Sequence, residues 1–437
     1  MYLDLSTLVP SVEAMHHQYD KTLFTKIADC FTRAMNAGRV TTINPELREI
    51  ENILRQTNGI DIDLALEDDE DENAYVIIPN LNVNHALLGL EYAELNEKAV
   101  AKFFRGIADK FVTSQVDNVT GKVTGQFTKL TFSVRLSTGL VNSGKYAPEE
   151  IAAVLCHEIG HIWTYCAWFK NTTMRNHVLV ETITKFVGAS DDVERMLILR
   201  QAEKEHKIKI KNKEYLSTND DVSGATLVIL DAVGKSYDSA TGSAIYDART
   251  WEAMSDQYVS RLGGGLYLAR ALDKINRKYN ASNYRTSFWY MVTETVKAIG
   301  VILLNILLTV GTFGVWAFIL LASLVSNIFV PKGDGSLFYD TYDRPGERIA
   351  RIRNDLVDSL KNRNIASDVR KNILSDIAFL DKILSQVKDR FGLWTQIMLF
   401  LSSNRRQELS EIQQQQALEK IANNNLYVLG SKLETLV

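Results

Sequence analysis

The residues whose spacing carries the most chemistry are His157-Glu158-Ile159-Gly160-His161, an H-E-x-x-H pattern in a segment that reads as helix. Histidines at i and i+4 project from one helix face about one turn apart, so both imidazoles can reach a single Zn²⁺ at about 2.0–2.1 Å. Zinc lowers the pKa of bound water toward neutrality, and Glu158, pointing near that water, can take its proton during attack on a carbonyl. A catalytic zinc needs a third protein ligand and an open fourth position. Glu252 and Asp256 are the best candidates to complete the site. At i, i+4 on a second predicted helix they share a face, so Glu252 can ligate the metal while Asp256 accepts the free ring N–H of a ligating histidine. His177, His206 and Glu181 are rival ligands in less clearly helical surroundings. These residues by themselves predict one zinc per chain and a zinc hydrolase.

The elements that must hold these groups are legible around them. Leu130–Leu136 alternates, with Leu130, Phe132, Val134 and Leu136 on one face and Thr131, Ser133 and Arg135 on the other, which predicts a half-buried strand. A loop over Thr138–Ala147 leads to Pro148-Glu149-Glu150, where proline suits the first helical position and carboxylates suit the positive helix end. That helix is expected to run through about Phe169. A second is expected over Ile245–Leu262, with Trp251, Ser255, Tyr258 and Leu262 along one side and Gly263-Gly264-Gly265 as its stop. If the substrate is an extended polypeptide docking by backbone pairing on an edge strand, Leu130, Phe132, Val134 and Leu136 mark the candidate edge; an interior strand with no substrate contact is the alternative. Cys156 and Cys166 flank the motif and read as helix packing. With Cys30 they make an odd number without framework spacing, which predicts reduced thiols in a cytoplasm-like compartment.

The wider chain sets the frame. Its 437 residues predict two or three domains, and 49 basic against 53 acidic residues leave a net charge of −4, with no global basic field for nucleic acid. The start, MYLDLSTLVP, lacks the pattern of a secretory signal, and six prolines leave long stretches free to be helical. Residues 1 to about 125 read as mostly helical, with an amphipathic helix over Glu97–Val112 and the acidic run Glu67–Glu72 as a solvated loop. A helix is expected over Asp191–Glu203. The basic stretch Lys204–Lys213 alternates with Ile208 and Ile210, so an exposed strand or hairpin edge is favoured over a basic patch. Ala298–Val330 contains no charged residue, bracketed by Lys297 and Lys332. Its length exceeds the roughly 18 residues of a membrane span. A helical hairpin, Met291–Thr309 and a second arm to Val330 around Gly311-Thr312-Phe313-Gly314, would keep both flanks on one side of a bilayer; a buried hairpin in a soluble core is the alternative. Ile365–Phe391 keeps helical timing through Val369, Ile373, Ile377, Leu380 and Leu384.

Y-A-P-E-E-I-A-A-V-L-C-H-E-I-G-H, residues 146–161, resembles the active-site helix of the gluzincin peptidases related to HtpX and the CAAX prenyl proteases, metallopeptidase family forty-eight. Their third ligand is a glutamate followed four residues later by aspartate, which Glu252 and Asp256 match. Y-D-R-P-G-E-R-I-A-R-I, residues 342–352, is similar to the family's late H-P-x-x-x-E-R-I motif, but Tyr342 stands in place of histidine and Asp343 in place of proline. Arg348 alone carries over, with polar stabilisation near the site as its implied role. The resemblance covers roughly residues 45–355. Together with the helical patterning, the resemblance gives the expected fold, mainly α (α+β): an N-terminal helical region over 1–45, a zincin-like peptidase domain with a small sheet over 46–355, interrupted by the apolar hairpin 291–330, and a helical tail over 356–437. It also implies a zinc endopeptidase acting on polypeptides, associated with a lipid bilayer through 291–330. The alternative is a structural or assembly protein that keeps a peptidase-like domain.

Overall fold

A computed structural model describes residues 20–77, 111–218, 222–238, 248–279, most of 303–319 with 296, 299 and 300, 345–361 and 365–387. The described chain is mainly helical, with one small sheet, and divides into two compact units, Met1–Ala271 and Leu272–Val437. The helix expected over Glu97–Val112 lies outside the described residues except for its last two, and so do Tyr342 and Asp343.

The first unit opens with α1 (Thr22–Asn36) and α2 (Pro45–Asn58), followed by β1 (Asp61–Glu67) and β2 (Ala74–Ile77). The sequence reading of a helical N-terminal third missed these strands. β3 (Thr131–Ser137) then passes through a one-turn helix, α3 (Thr138–Val141), to α4 (Pro148–Gly188). Sheet order is β1-β3-β2, with β1 parallel and β2 antiparallel to β3. The expected edge strand is therefore the central one. Phe132, Val134 and Leu136 face the core at 1% exposure or less, and backbone pairing on both sides leaves β3 no edge for a substrate. Leu130 precedes the strand. The outward side of β1 is closed by side chains: the Leu64 N–H donates to Glu51 Oε1 at 2.9 Å and the Leu66 N–H to Thr42 Oγ1 at 3.1 Å. β2 is left as the outer edge of the described sheet, and it packs against α4.

The acidic run forms the β1–β2 connection. Most of it is solvated as expected, but Glu72 is buried and accepts from Lys145 Nζ at 2.7 Å, tying the loop before α4 to the sheet. At the start of α4, Pro148 occupies the first turn and the Ala147 N–H donates to Glu150 Oε2 at 2.9 Å. The helix continues about five turns beyond the expected end at Phe169, to Gly188. Its second half packs with α5 (Asp192–His206), α6 (Lys213–Thr218) and α7 (Val222–Asp238) around a separate core of Val178, Phe186, Leu199, Ile208, Ile210 and Ile229. The extended strand expected within Lys204–Lys213 is absent from this described segment, although its alternation is real: both isoleucines are buried and Lys207, Lys209 and Lys211 exposed.

α8 (Ala248–Arg261) returns to the first half of α4, and Gly263, at φ +77°, ends its line before α9 (Gly265–Tyr279). In the second unit, α10 (Pro345–Leu360) and α11 (Ser367–Gln386) pack through Ile352, Leu356, Ile373, Ile377 and Leu380. Within the apolar segment, residues 303–311 are helical. The chain turns where expected, with Gly314 at φ +87° donating its N–H to Thr309 O at 2.8 Å, and Trp316 Nε1 donating to Asn305 Oδ1 at 2.9 Å across the turn. Leu303, Leu304, Ile306, Leu307 and Val310 are each more than half exposed. Among the described residues no helix is long and apolar enough to cross a membrane.

Candidate active site

α4 and α8 lie side by side, and each supplies half of the site. Both histidines of the motif turn their Nε2 atoms to one point, 3.1 Å apart. From α8, Glu252 places Oε2 at 3.3 Å from His157 Nε2 and Oε1 at 3.4 Å from His161 Nε2. Asp256, one turn later and fully buried, has Oδ1 at 3.0 Å from His157 Nδ1. A carboxylate on Nδ1 keeps the proton there and leaves Nε2 as a lone-pair donor. The Glu158 carboxylate completes the group: its oxygen and the two histidine nitrogens lie within 4.8 Å of one another, and Glu158 is 7% exposed.

These separations test the site for zinc. Ligand atoms bound tetrahedrally at about 2.0–2.1 Å stand about 3.3–3.4 Å apart, the edge of the tetrahedron. The two histidine nitrogens, 3.1 Å apart, are close to that edge, and the Glu252 carboxylate faces both of them with a different oxygen toward each, Oε2 at 3.3 Å from His157 Nε2 and Oε1 at 3.4 Å from His161 Nε2. Two imidazoles and one carboxylate form a donor set suited to zinc, so the residues present fit the ion.

The packing that allows this convergence centres on Gly160. A Cβ there would come within 2.8 Å of Ser255 Cα and 3.1 Å of Ser255 Cβ, so α8 approaches α4 this closely only because position 160 has no side chain. The sequence reading did not single out this glycine. Its signal was a small residue inside a helix next to two functional groups. α8 is pinned further by Tyr258, whose hydroxyl accepts from Asn58 Nδ2 at 2.8 Å and whose ring lies tilted beside Trp163. Beyond His161 on the same line of α4, Tyr165 and Trp168 meet Trp251 of α8 in an aromatic floor.

The rival ligands lie elsewhere. His177 is about 30 Å along α4 from His157, paired with Glu181 at 3.4 Å, and His206 closes α5. All three cysteines are free and buried. Burial pushes the Cys156 thiol up to about 12. Arg348 lies half-buried on α10 of the second unit.

No family model, curated protein or solved structure matches this chain.

Proposed function

We propose that this protein is a zinc-dependent endopeptidase of zincin type, associated with a membrane through its apolar hairpin. The observation that carries the reading is the convergence of the His157 and His161 Nε2 atoms, 3.1 Å apart, on the Glu252 carboxylate, with Asp256 behind the first histidine. His157, His161 and Glu252 would hold one zinc, and Asp256 orients the His157 ring. Zinc bound there supplies a Lewis acid that lowers the pKa of water and polarises a carbonyl oxygen. Glu158 takes the proton from the attacking water at a carboxylate oxygen and passes it to the leaving amine nitrogen. Its burial beside the histidines keeps that exchange away from bulk solvent. With β3 interior, the role of substrate strand passes to β2, where an extended polypeptide would add by backbone pairing.

The hairpin part of the proposal rests on exposure. Leu303, Leu304, Ile306, Leu307 and Val310 share one broad helix face turned outward, whereas a helix facing water carries polar residues there. The buried, free thiols support a reducing, cytoplasm-like setting for the first unit.

Metal analysis and proteolysis of a general protein substrate, for wild type and Glu158→Gln, test the enzyme. One zinc per chain in both, with cleavage lost at least about a hundredfold in the variant, is the expected result. Equal cleavage by both would overturn the mechanism. Stoichiometric zinc without any cleavage by wild type would favour a peptidase-like scaffold.

A further inference from the structure

Residues 204–213 carry five lysines and one glutamate, a local charge of +4 in a chain of net −4. The fold holds this segment in a defined shape. Lys207 and Asn212, at φ 54° and 52°, are the non-glycine residues in the left-handed region among the described residues, and they bracket residues 208–211. Such conformations persist only where the surroundings impose them. Here the surroundings are visible: Ile208 and Ile210 are buried at 5% and 3% exposure in the core of the α4–α7 helices. Glu203 accepts the Ile210 N–H at 2.8 Å and Lys213 Nζ at 2.6 Å. The intervening side chains must then point outward. Lys204, Lys207, Lys209 and Lys211 are exposed and form no ion pair among the described residues. Of the nearby carboxylates, Glu203 is bound to Lys213, and Glu205 accepts from Gln201.

Exposed apolar groups lie in the same elements. On α5, Val193, Leu197, Arg200 and Lys204 follow i, i+4, i+7, i+11 spacing and share one exposed face, with Val193 at 69% and Leu197 at 59% exposure. Tyr215, at 64%, follows on α6. Basic side chains interleaved with exposed aliphatic and aromatic ones are the chemistry of a bilayer interface carrying anionic lipid. An acidic protein would use the lysines but give no reason for Val193 and Leu197 to stand in water.

We propose that the exposed face of α5 together with Lys207, Lys209 and Lys211 docks on the surface of an anionic bilayer. This rests on the membrane part of the reading above and is independent of the zinc chemistry. Anionic lipid is concentrated in the cytoplasmic leaflet, in agreement with the reduced thiols. Each lysine near such a surface adds to binding, and the effect fades as salt shortens the screening length.

The test is partitioning of the full chain onto vesicles of phosphatidylcholine alone and of phosphatidylcholine with about one-third phosphatidylserine. Wild type is expected to bind the anionic vesicles on the order of a hundredfold more strongly, with the difference lost as salt rises from about 0.1 M to about 1 M. Changing Lys204, Lys207, Lys209 and Lys211 together to Glu removes the difference, and changing all four to Arg keeps it, with thermal midpoints confirming that both fold. Equal binding of wild type to the two vesicle types overturns the proposal, as does a phosphatidylserine preference that survives the four Lys→Glu changes. Binding to the neutral vesicles reads the hairpin separately, so failure of either part is distinguishable from failure of the other.

Discussion

Asp256 acts through His157. By accepting the Nδ1 proton at 3.0 Å it fixes the ring with Nε2 toward Glu252 and His161. Removing its charge while keeping its shape, Asp256→Asn, is expected to lower zinc affinity about 10–100-fold with little change in the folded state. Competition with a chromophoric chelator measures this, and unchanged affinity would remove Asp256 from the site. The cysteines give a second prediction at this scale. Burial raises the thiols of Cys30 and Cys156 from an ordinary 9.0 to about 11 and about 12. The folded chain keeps these protons while the unfolded chain loses its own above pH 9, so the unfolded state binds fewer protons and stability falls as pH rises from about 9 toward 11. Thermal midpoints across that window should decline, with a shallower decline in Cys30→Ala. Identical slopes would argue against the buried thiol as a cause.

At the scale of elements, the site depends on how closely α8 approaches α4. Gly160→Ala puts a methyl 2.8 Å from Ser255 Cα, which forces α8 outward and takes Glu252 and Asp256 with it. The expected outcome is a stability loss of about 1–3 kcal/mol, in the range of overpacking, together with zinc affinity lowered more than tenfold. Normal zinc binding by the Gly160→Ala protein would show that the approach has slack. The sequence made the metal-ligand spacing readable because His157, His161, Glu252 and Asp256 each obey the i, i+4 rule within a helix. It did not reveal what joins the helices. The Asn58–Tyr258 bond links residues 200 positions apart, and no local pattern encodes it. β1 was legible in principle, since Ile62, Leu64 and Leu66 alternate with acidic or small residues in Asp61–Glu67, but a helical expectation for the whole region up to about residue 125 passed over it. Whether β3 lay at an edge was not readable from β3 itself, because edge position depends on which other strands pair with it. The alternation of lysine and isoleucine at 207–211 suggested an exposed strand; the isoleucines are indeed buried and the lysines exposed, but Lys207 and Asn212 adopt left-handed conformations and the segment joins no sheet among the described residues.

At the scale of the whole molecule, the near-neutral average conceals an apolar segment and a basic one. Exposed Leu303, Leu307 and Val310 give the hairpin a surface that water does not favour. Replacing these three by Asp should release the protein from phosphatidylcholine vesicles and raise its solubility without detergent, because each charge in a hydrocarbon core is costly. Retained vesicle binding in that variant would place the contact elsewhere. Zinc content should be unchanged, since the ligands belong to the first unit and the hairpin to the second.

The account stands on three side chains holding one zinc, and diffraction data collected on either side of the zinc absorption edge test that most directly. The prediction is a single anomalous peak per chain, about 2.0–2.1 Å from His157 Nε2, His161 Nε2 and a Glu252 carboxylate oxygen. A zinc-replete crystal with no peak there, or with its peak at His177 and Glu181, would contradict it.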